Sequence, residues 1–197
     1  MNFDISQNII LENDRSLLRP LVAEDLEYLL PIAIKYKDLI DFSPSEIHRP
    51  DLIQAYIDTA LEAKANGIRY PFIIFDKQKN QYAGSTSFGN MSNKNSRLEI
   101  GWTWIGKEFQ RTGLNRNNKF MMLCYAFEDL GCIRVELKTD TRNIQSRTAM
   151  KKIGATEEGI LRSHTIMSDG YRRDTIYYSI LKNEWEEIKN TIFKGYE

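Results

Sequence analysis

Three stretches, "RYPFIIFD" (69–76), "QYAGSTSFG" (81–89) and "RLEIGWTWIG" (97–106), follow one another with only short polar segments between them. Apolar and β-branched runs at hairpin distance predict consecutive antiparallel strands, so the centre of this chain has to be a sheet built as a meander. Everything else must cover that sheet or extend it.

Ahead of the meander, "SLLRPLV" reads as another strand, and "AEDLEYLLPIAIKY" places Leu26, Leu29, Leu30 and Ala33 at helical spacing, with Pro31 expected to bend or interrupt the helix. A second helix is marked by Pro50 and Asp51 in its first turn, by the face Leu52, Ile53, Tyr56, Ile57, Ala60 and Leu61, and by its stop at Asn66 and Gly67. Behind the meander, Phe120, Met121, Leu123, Cys124, Phe127 and Leu130 recur along a helix that Gly131 ends. Then "CIRVELKTD" reads as a buried strand and "NIQSRTAMKKIG" as a short helix. "ILRSHTIMSDGYRRDTIYYSIL" reads as a hairpin turning at Asp169-Gly170, and "NEWEEIKNTI" as a helix over 183–193 begun by an Asn183 cap. This order predicts a mixed α/β (α+β) domain, antiparallel early and strand-helix-strand-helix-strand in its middle.

The 197 residues show no repeat or linker, which predicts one domain over 1–197. Twenty-seven Lys and Arg balance 27 Asp and Glu, so broad electrostatic capture of nucleic acid or of an anionic membrane is not expected. "MNFDISQNII" has no secretory pattern and no segment is apolar for long enough to span a bilayer; a cytoplasmic protein is the expectation. Cys124 and Cys132 read as buried thiols, and His48 and His164 lie too far apart for a zinc pattern, so no metal is expected.

"EFQRTGLNRNNKFMML" (108–123) changes halfway from a polar run with one glycine to an apolar helical pattern. The first N–H groups of a helix have no internal partner and carry partial positive charge, so such a junction attracts phosphate. Gly113 lets the backbone come close to an anion, and Gln110, Arg111, Thr112 and Arg116 supply donors and charge. Neither G-x-x-x-x-G-K-[ST] nor G-x-G-x-x-G is present, and an ordinary loop is the competing reading.

With the strand "RLEIGWTWI" before it and "DTRNIQSRTAMKKIGA" and the hairpin after it, "QRTGLN" resembles the GCN5-related N-acetyltransferases, in particular the branch containing the ribosomal-protein N-terminal acetyltransferases. The resemblance covers residues 15–182. It implies a central mixed, mostly antiparallel twisted sheet of about seven strands flanked by helices and splayed between the fourth and fifth strands. It also implies acetyl-coenzyme A as cosubstrate and an amine as acceptor. The family's loop pattern is Q/R-x-x-G-x-G/A: Gln110 and Gly113 match it, while Asn115 stands where glycine or alanine is usual. By the same resemblance, Gln110, Arg111, Thr112, Gly113, Leu114, Asn115 and Arg116 hold the pyrophosphate, and Trp104 and Ile105 offer backbone groups to the pantetheine arm. The alternative for Trp102 and Trp104 is plain core packing.

An acceptor amine must lose its proton before it can attack a thioester. Glu99, eleven positions before Gln110, matches a glutamate that acts as base in several family members, directly or through water. A partly closed site favours the neutral carboxyl, the direction a general base needs. The other reading is a surface glutamate paired with a lysine or arginine. Many members carry a proton-donating tyrosine where Met150 stands, and methionine cannot donate. Ser146 is the nearest hydroxyl, with helix-end capping as its alternative role, and Asn143 matches a residue that hydrogen-bonds pantetheine. The acceptor pocket is expected between the early helices and the late hairpin, with Tyr36, Phe42, Tyr70, Phe88, Arg162 and His164 in those segments. The sequence leaves the acceptor open among a protein N-terminus, an amino acid, a polyamine and an amino sugar. Strand edges and "NTIFKGYE" would permit a homodimer. Two rival readings are a non-catalytic acyl-coenzyme A sensor or scaffold and an unrelated nucleotide-binding domain.

Overall fold

The computed structural model describes residues 1–196. One sheet runs through it: β1 (Leu11–Glu12), β2 (Ser16–Pro20), β3 (Arg69–Asp76), β4 (Gln81–Ser92), β5 (Arg97–Ile105), β6 (Arg134–Asp140), β7 (Thr156–Ile166) and β8 (Arg172–Leu181), in the spatial order β1-β2-β3-β4-β5-β6-β8-β7. All pairings are antiparallel except β5 with β6. The meander is present as β3, β4 and β5. The sheet has eight strands because the two-residue β1 adds to the seven-strand pattern.

Helices α1 (Leu26–Lys35) and α2 (Pro50–Ala65) cover one face, and α3 (Leu114–Cys124), α4 (Ile144–Lys152) and α5 (Lys182–Thr191) cover the other. Two cores result, and β3 shows why its sequence is almost continuously apolar: Phe72 and Ile74 join the α3 side while Ile73 joins the α1–α2 side. Gly131, at φ 71°, ends the helical segment that continues from α3 through a wider turn at Tyr125–Asp129.

Three local expectations are corrected. Pro31 does not interrupt α1, because it stands on the exposed side, where water can satisfy the carbonyl that loses its partner. Asn183 does not cap α5: the helix begins one residue earlier, and the Glu184 carboxylate accepts the Leu181 N–H at 2.8 Å, doing the capping from inside the first turn. Cys132 is buried, and burial pushes its thiol up to about 11, but Cys124 is only partly buried.

Candidate active site

β5 and β6 pair at only three positions, Arg97 with Arg134, Leu98 with Val135 and Glu99 with Glu136, although β5 continues to Ile105 and β6 to Asp140. Beyond Glu99 the strands part, leaving a wedge whose walls carry backbone groups without a strand partner. A bulge on the far edge of β5 accompanies the parting. Ser87 faces Gly101 and Ser85 faces Trp104, so Thr86 opposes two residues, Trp102 and Thr103, and Trp102 takes φ 50°. An extra residue of this kind bends and twists its strand, here turning β5 away from β6.

Core packing applies to the side chain of one of the two tryptophans. Trp104 is buried against α2, edge-on to Tyr56 at 6.2 Å, and its Nε1 has no hydrogen-bond partner among the described residues. Trp102 is only partly buried, with the Arg69 guanidinium 5.1 Å from its ring.

Glu99 sits where the wedge opens. It is 3% exposed, so it is no surface glutamate, yet it does have a lysine partner: Oε2 accepts from Lys138 Nζ at 2.8 Å and from Asn90 Nδ2 at 2.7 Å. Oε1 takes no donor among the described residues and lies over Gly101, where an added Cβ would come within 2.9 Å. Glycine at 101 therefore makes room for the carboxylate. Glu99, Lys138, Asn90, Arg97, Glu136 and Tyr177 border an open depression of about 630 Å³.

At the end of β5, Gln110 donates to Ile105 O at 3.2 Å and accepts from Gln145 of α4 at 3.1 Å, joining the β5 side of the wedge to the α4 side. Arg111 (φ 61°) and Gly113 (φ 87°) give the turn two left-handed residues, and Arg111, Thr112 and Gly113 are exposed. Thr112 Oγ1 donates to Phe109 O at 2.7 Å and accepts the Leu114 N–H at 3.4 Å. Leu114, Asn115 and Arg116 supply the first turn of α3, where N–H groups lack intrahelical acceptors. The Asn115 side chain is partly buried, with Oδ1 unpartnered. The Arg116 side chain goes elsewhere: it donates to Ile192 O and lies over Phe193 and Tyr196.

On α4, Asn143 is the N-cap, its Oδ1 accepting the Ser146 N–H at 3.0 Å. Ser146 Oγ has no hydrogen-bond partner among the described residues, so capping is the work of Asn143 and the hydroxyl is uncommitted. Met150 is buried in the core.

The residues expected around an acceptor do not all come together. Phe42 lines a cavity of about 380 Å³ between the segment after α1 and the tip of the β7–β8 hairpin, together with Lys37, Glu46, His48, Arg142 and Asp169. Tyr70 and Phe88 do not reach it, being fully buried in the core. His164 is an exposed strand residue whose ring stands edge-on to Tyr177 at 5.9 Å.

One group near the wedge gave no signal in the sequence. Lys119, on the core side of α3, is buried; its Nζ donates to Thr103 Oγ1 at 2.7 Å and to Thr86 Oγ1 at 3.3 Å, the two threonines that meet across the bulge. Burial alone pushes its ammonium down to about 7. A lysine beside apolar helix residues reads in one dimension as a surface side chain, and only the packing reveals that it points inward.

A mixed sheet wedged open at its one parallel pairing, with a glycine-led helix end at the mouth of the wedge, defines an acyltransferase fold. A family model described as Acetyltransferase (GNAT) domain matches residues 15–156, and the chain belongs to that family. It is 30% identical over 183 residues to a protein of Bacillus subtilis (strain 168) described as "Putative ribosomal N-acetyltransferase YdaF", covering 90% of this chain and 97% of that one. It is 28% identical over 180 residues to "Uncharacterized N-acetyltransferase p20" of Bacillus licheniformis, covering 89% and 97%. Among solved structures, a GCN5-related N-acetyltransferase from Brucella melitensis superposes with a TM-score of 0.89 at 24% identity, over 98% of this chain and 88% of that one. The protein is thus an acyltransferase of a family that uses acetyl-coenzyme A.

Proposed function

We propose that this protein transfers an acetyl group from acetyl-coenzyme A to a primary amine, by direct attack of the amine in a ternary complex. The observation that carries the reading is the wedge itself, which opens immediately after Glu99 and has the 110–116 turn at its mouth. The residues suit the cofactor. Gly113 holds a left-handed conformation with nothing within 4 Å of where its Cβ would stand, leaving open space beside the free N–H groups of the α3 end. Asn115 stands on the same first turn, with its Oδ1 buried and unpartnered.

Acetyl-coenzyme A supplies an activated thioester. The chain's part is to orient the amine and to remove its proton. With Oε2 held by Lys138 and Asn90, Glu99 keeps Oε1 to accept the proton, directly or through water, as nitrogen bonds to the acyl carbon and the carbon–sulfur bond breaks. Ser146 Oγ is the hydroxyl on α4 available to the departing thiolate, and Asn143 stands beside it at the same helix end. The acceptor enters from the α1–α2 side, past Phe42 and the hairpin tip. The name borne by the Bacillus subtilis relative favours a protein N-terminus as acceptor.

An acetyl-transfer screen over small amines, amino sugars and peptide N-termini tests this function. Turnover with one class is the expected result. Tight acetyl-coenzyme A binding with no turnover on any amine would favour a non-catalytic sensor, and binding of ATP in place of coenzyme A would overturn the cofactor assignment.

A further inference from the structure

We infer that Lys119 is a positioning residue for the cofactor arm: through Thr103 and Thr86 its ammonium fixes the bulge that turns β5 away from β6. The inference rests on the reading that acetyl-coenzyme A occupies the wedge.

The bulge places Trp102 and Thr103 opposite the single residue Thr86. At such a point the ladder is broken, and the two strands are tied by side chains: Thr86 Oγ1 and Thr103 Oγ1 lie 2.7 Å apart, with Lys119 Nζ against both. Thr103 Oγ1 also reaches Gly101 O at 3.4 Å, so the lysine is linked to the backbone on which Glu99 rests. An ammonium is an expensive way to join two hydroxyls inside a core, since an apolar side chain of the same length would fill the space without losing hydration. Its use here indicates a demand for a charge-assisted donor at this spot.

Among the described residues, no carboxylate answers the charge. From β4 and β5 the partners are threonine hydroxyls, α3 itself carries no acid, and its other cation, Arg116, is committed to Ile192 O. The acid of β5, Glu99, alternates to the opposite face of the sheet and is paired there with Lys138. Burial is accordingly the cause that acts on Lys119, and it brings the loss of the proton into the neutral range. The charged form holds both hydroxyls more strongly than the neutral amine does, so the bulge is braced below that range and slackened above it. Affinity for the arm then falls as pH rises through the titration. Reciprocally, bound cofactor keeps the proton on the lysine.

The test uses the full chain and acetyl-coenzyme A, and needs no acceptor. Carbon-13 NMR of lysine Cε should show one lysine titrating near neutrality, absent in Lys119→Met, with its midpoint raised by about one unit at saturating acetyl-coenzyme A. Calorimetric affinity should fall about tenfold from pH 6 to 8.5 beyond the change seen in Lys119→Met, in which the phosphates of the cofactor titrate alike. An unmoved midpoint, or the same pH dependence in Lys119→Met, overturns the inference. Should that variant fail to fold, Thr103→Val keeps the lysine and cuts its link to β5. Loss of the extra pH dependence supports the brace, and an unchanged profile overturns it. Absence of acetyl-coenzyme A binding by the unaltered protein at every pH is a separate outcome, which removes the cofactor reading and this inference with it.

Discussion

Glu99 has one carboxylate oxygen held by Lys138 and Asn90 and the other resting over Gly101 without a donor. Glu99→Gln keeps the size and removes the base. If Glu99 takes the proton, turnover drops about 10²–10⁴-fold while acetyl-coenzyme A affinity stays within about twofold, measured by steady-state rates and calorimetry. Equal turnover across pH would remove Glu99 from that role. Lys119 makes an opposite demand on stability. Its folded-state proton affinity is depressed to about 7, whereas the unfolded chain holds that proton up to the ordinary lysine range. The unfolded state thus binds more protons between those limits, and stability rises with pH there. Denaturant unfolding of Lys119→Met should lose this slope and show a gain in stability at pH 6, where the buried ammonium is charged. Glu99 was legible from its strand and its distance to Gln110. Its partners Lys138 and Asn90 were not, because they come from other strands whose pairing no local pattern states, and Lys119 was not, because facing depends on what α3 packs against.

The first strand of the meander stood in the sequence because both its faces are covered and its residues are almost continuously apolar; β3 spans Arg69–Asp76 as read. The turn into α3 was legible for the same kind of reason, a glycine followed at once by a helical pattern. The bulge was hidden. Trp102 adopts a left-handed φ that no tryptophan advertises, and the register shift opposite Thr86 is a relation between two strands. Gly113 permits an element-level test. Alanine there meets no neighbour but must take φ 87°, at a cost of about 1–2 kcal/mol if the conformation persists. Gly113→Ala should lower thermal stability modestly and weaken acetyl-coenzyme A binding, the second effect measured by calorimetry. Unchanged affinity would show that the turn does not contact the cofactor.

Across the whole molecule, the segment after α5 closes over α3. Phe193 is buried against Phe120 at 5.3 Å and Trp185 at 6.0 Å, and the Arg116 guanidinium lies 5.7 Å from its ring. Phe193→Ala should therefore destabilise the protein by about 3–5 kcal/mol in denaturant unfolding. In the sequence this aromatic tail only permits a dimer, since nothing local says that it folds back on its own domain. A different consequence follows from the three rungs between β5 and β6. They join a five-stranded half to a three-stranded half at one end of the wedge, while the Gln110–Gln145 contact spans its mouth. Such a plan behaves as a pair of tongs: the closed end, where Glu99 sits, acts as fulcrum, and small flexing there becomes a larger change of gap at the tips.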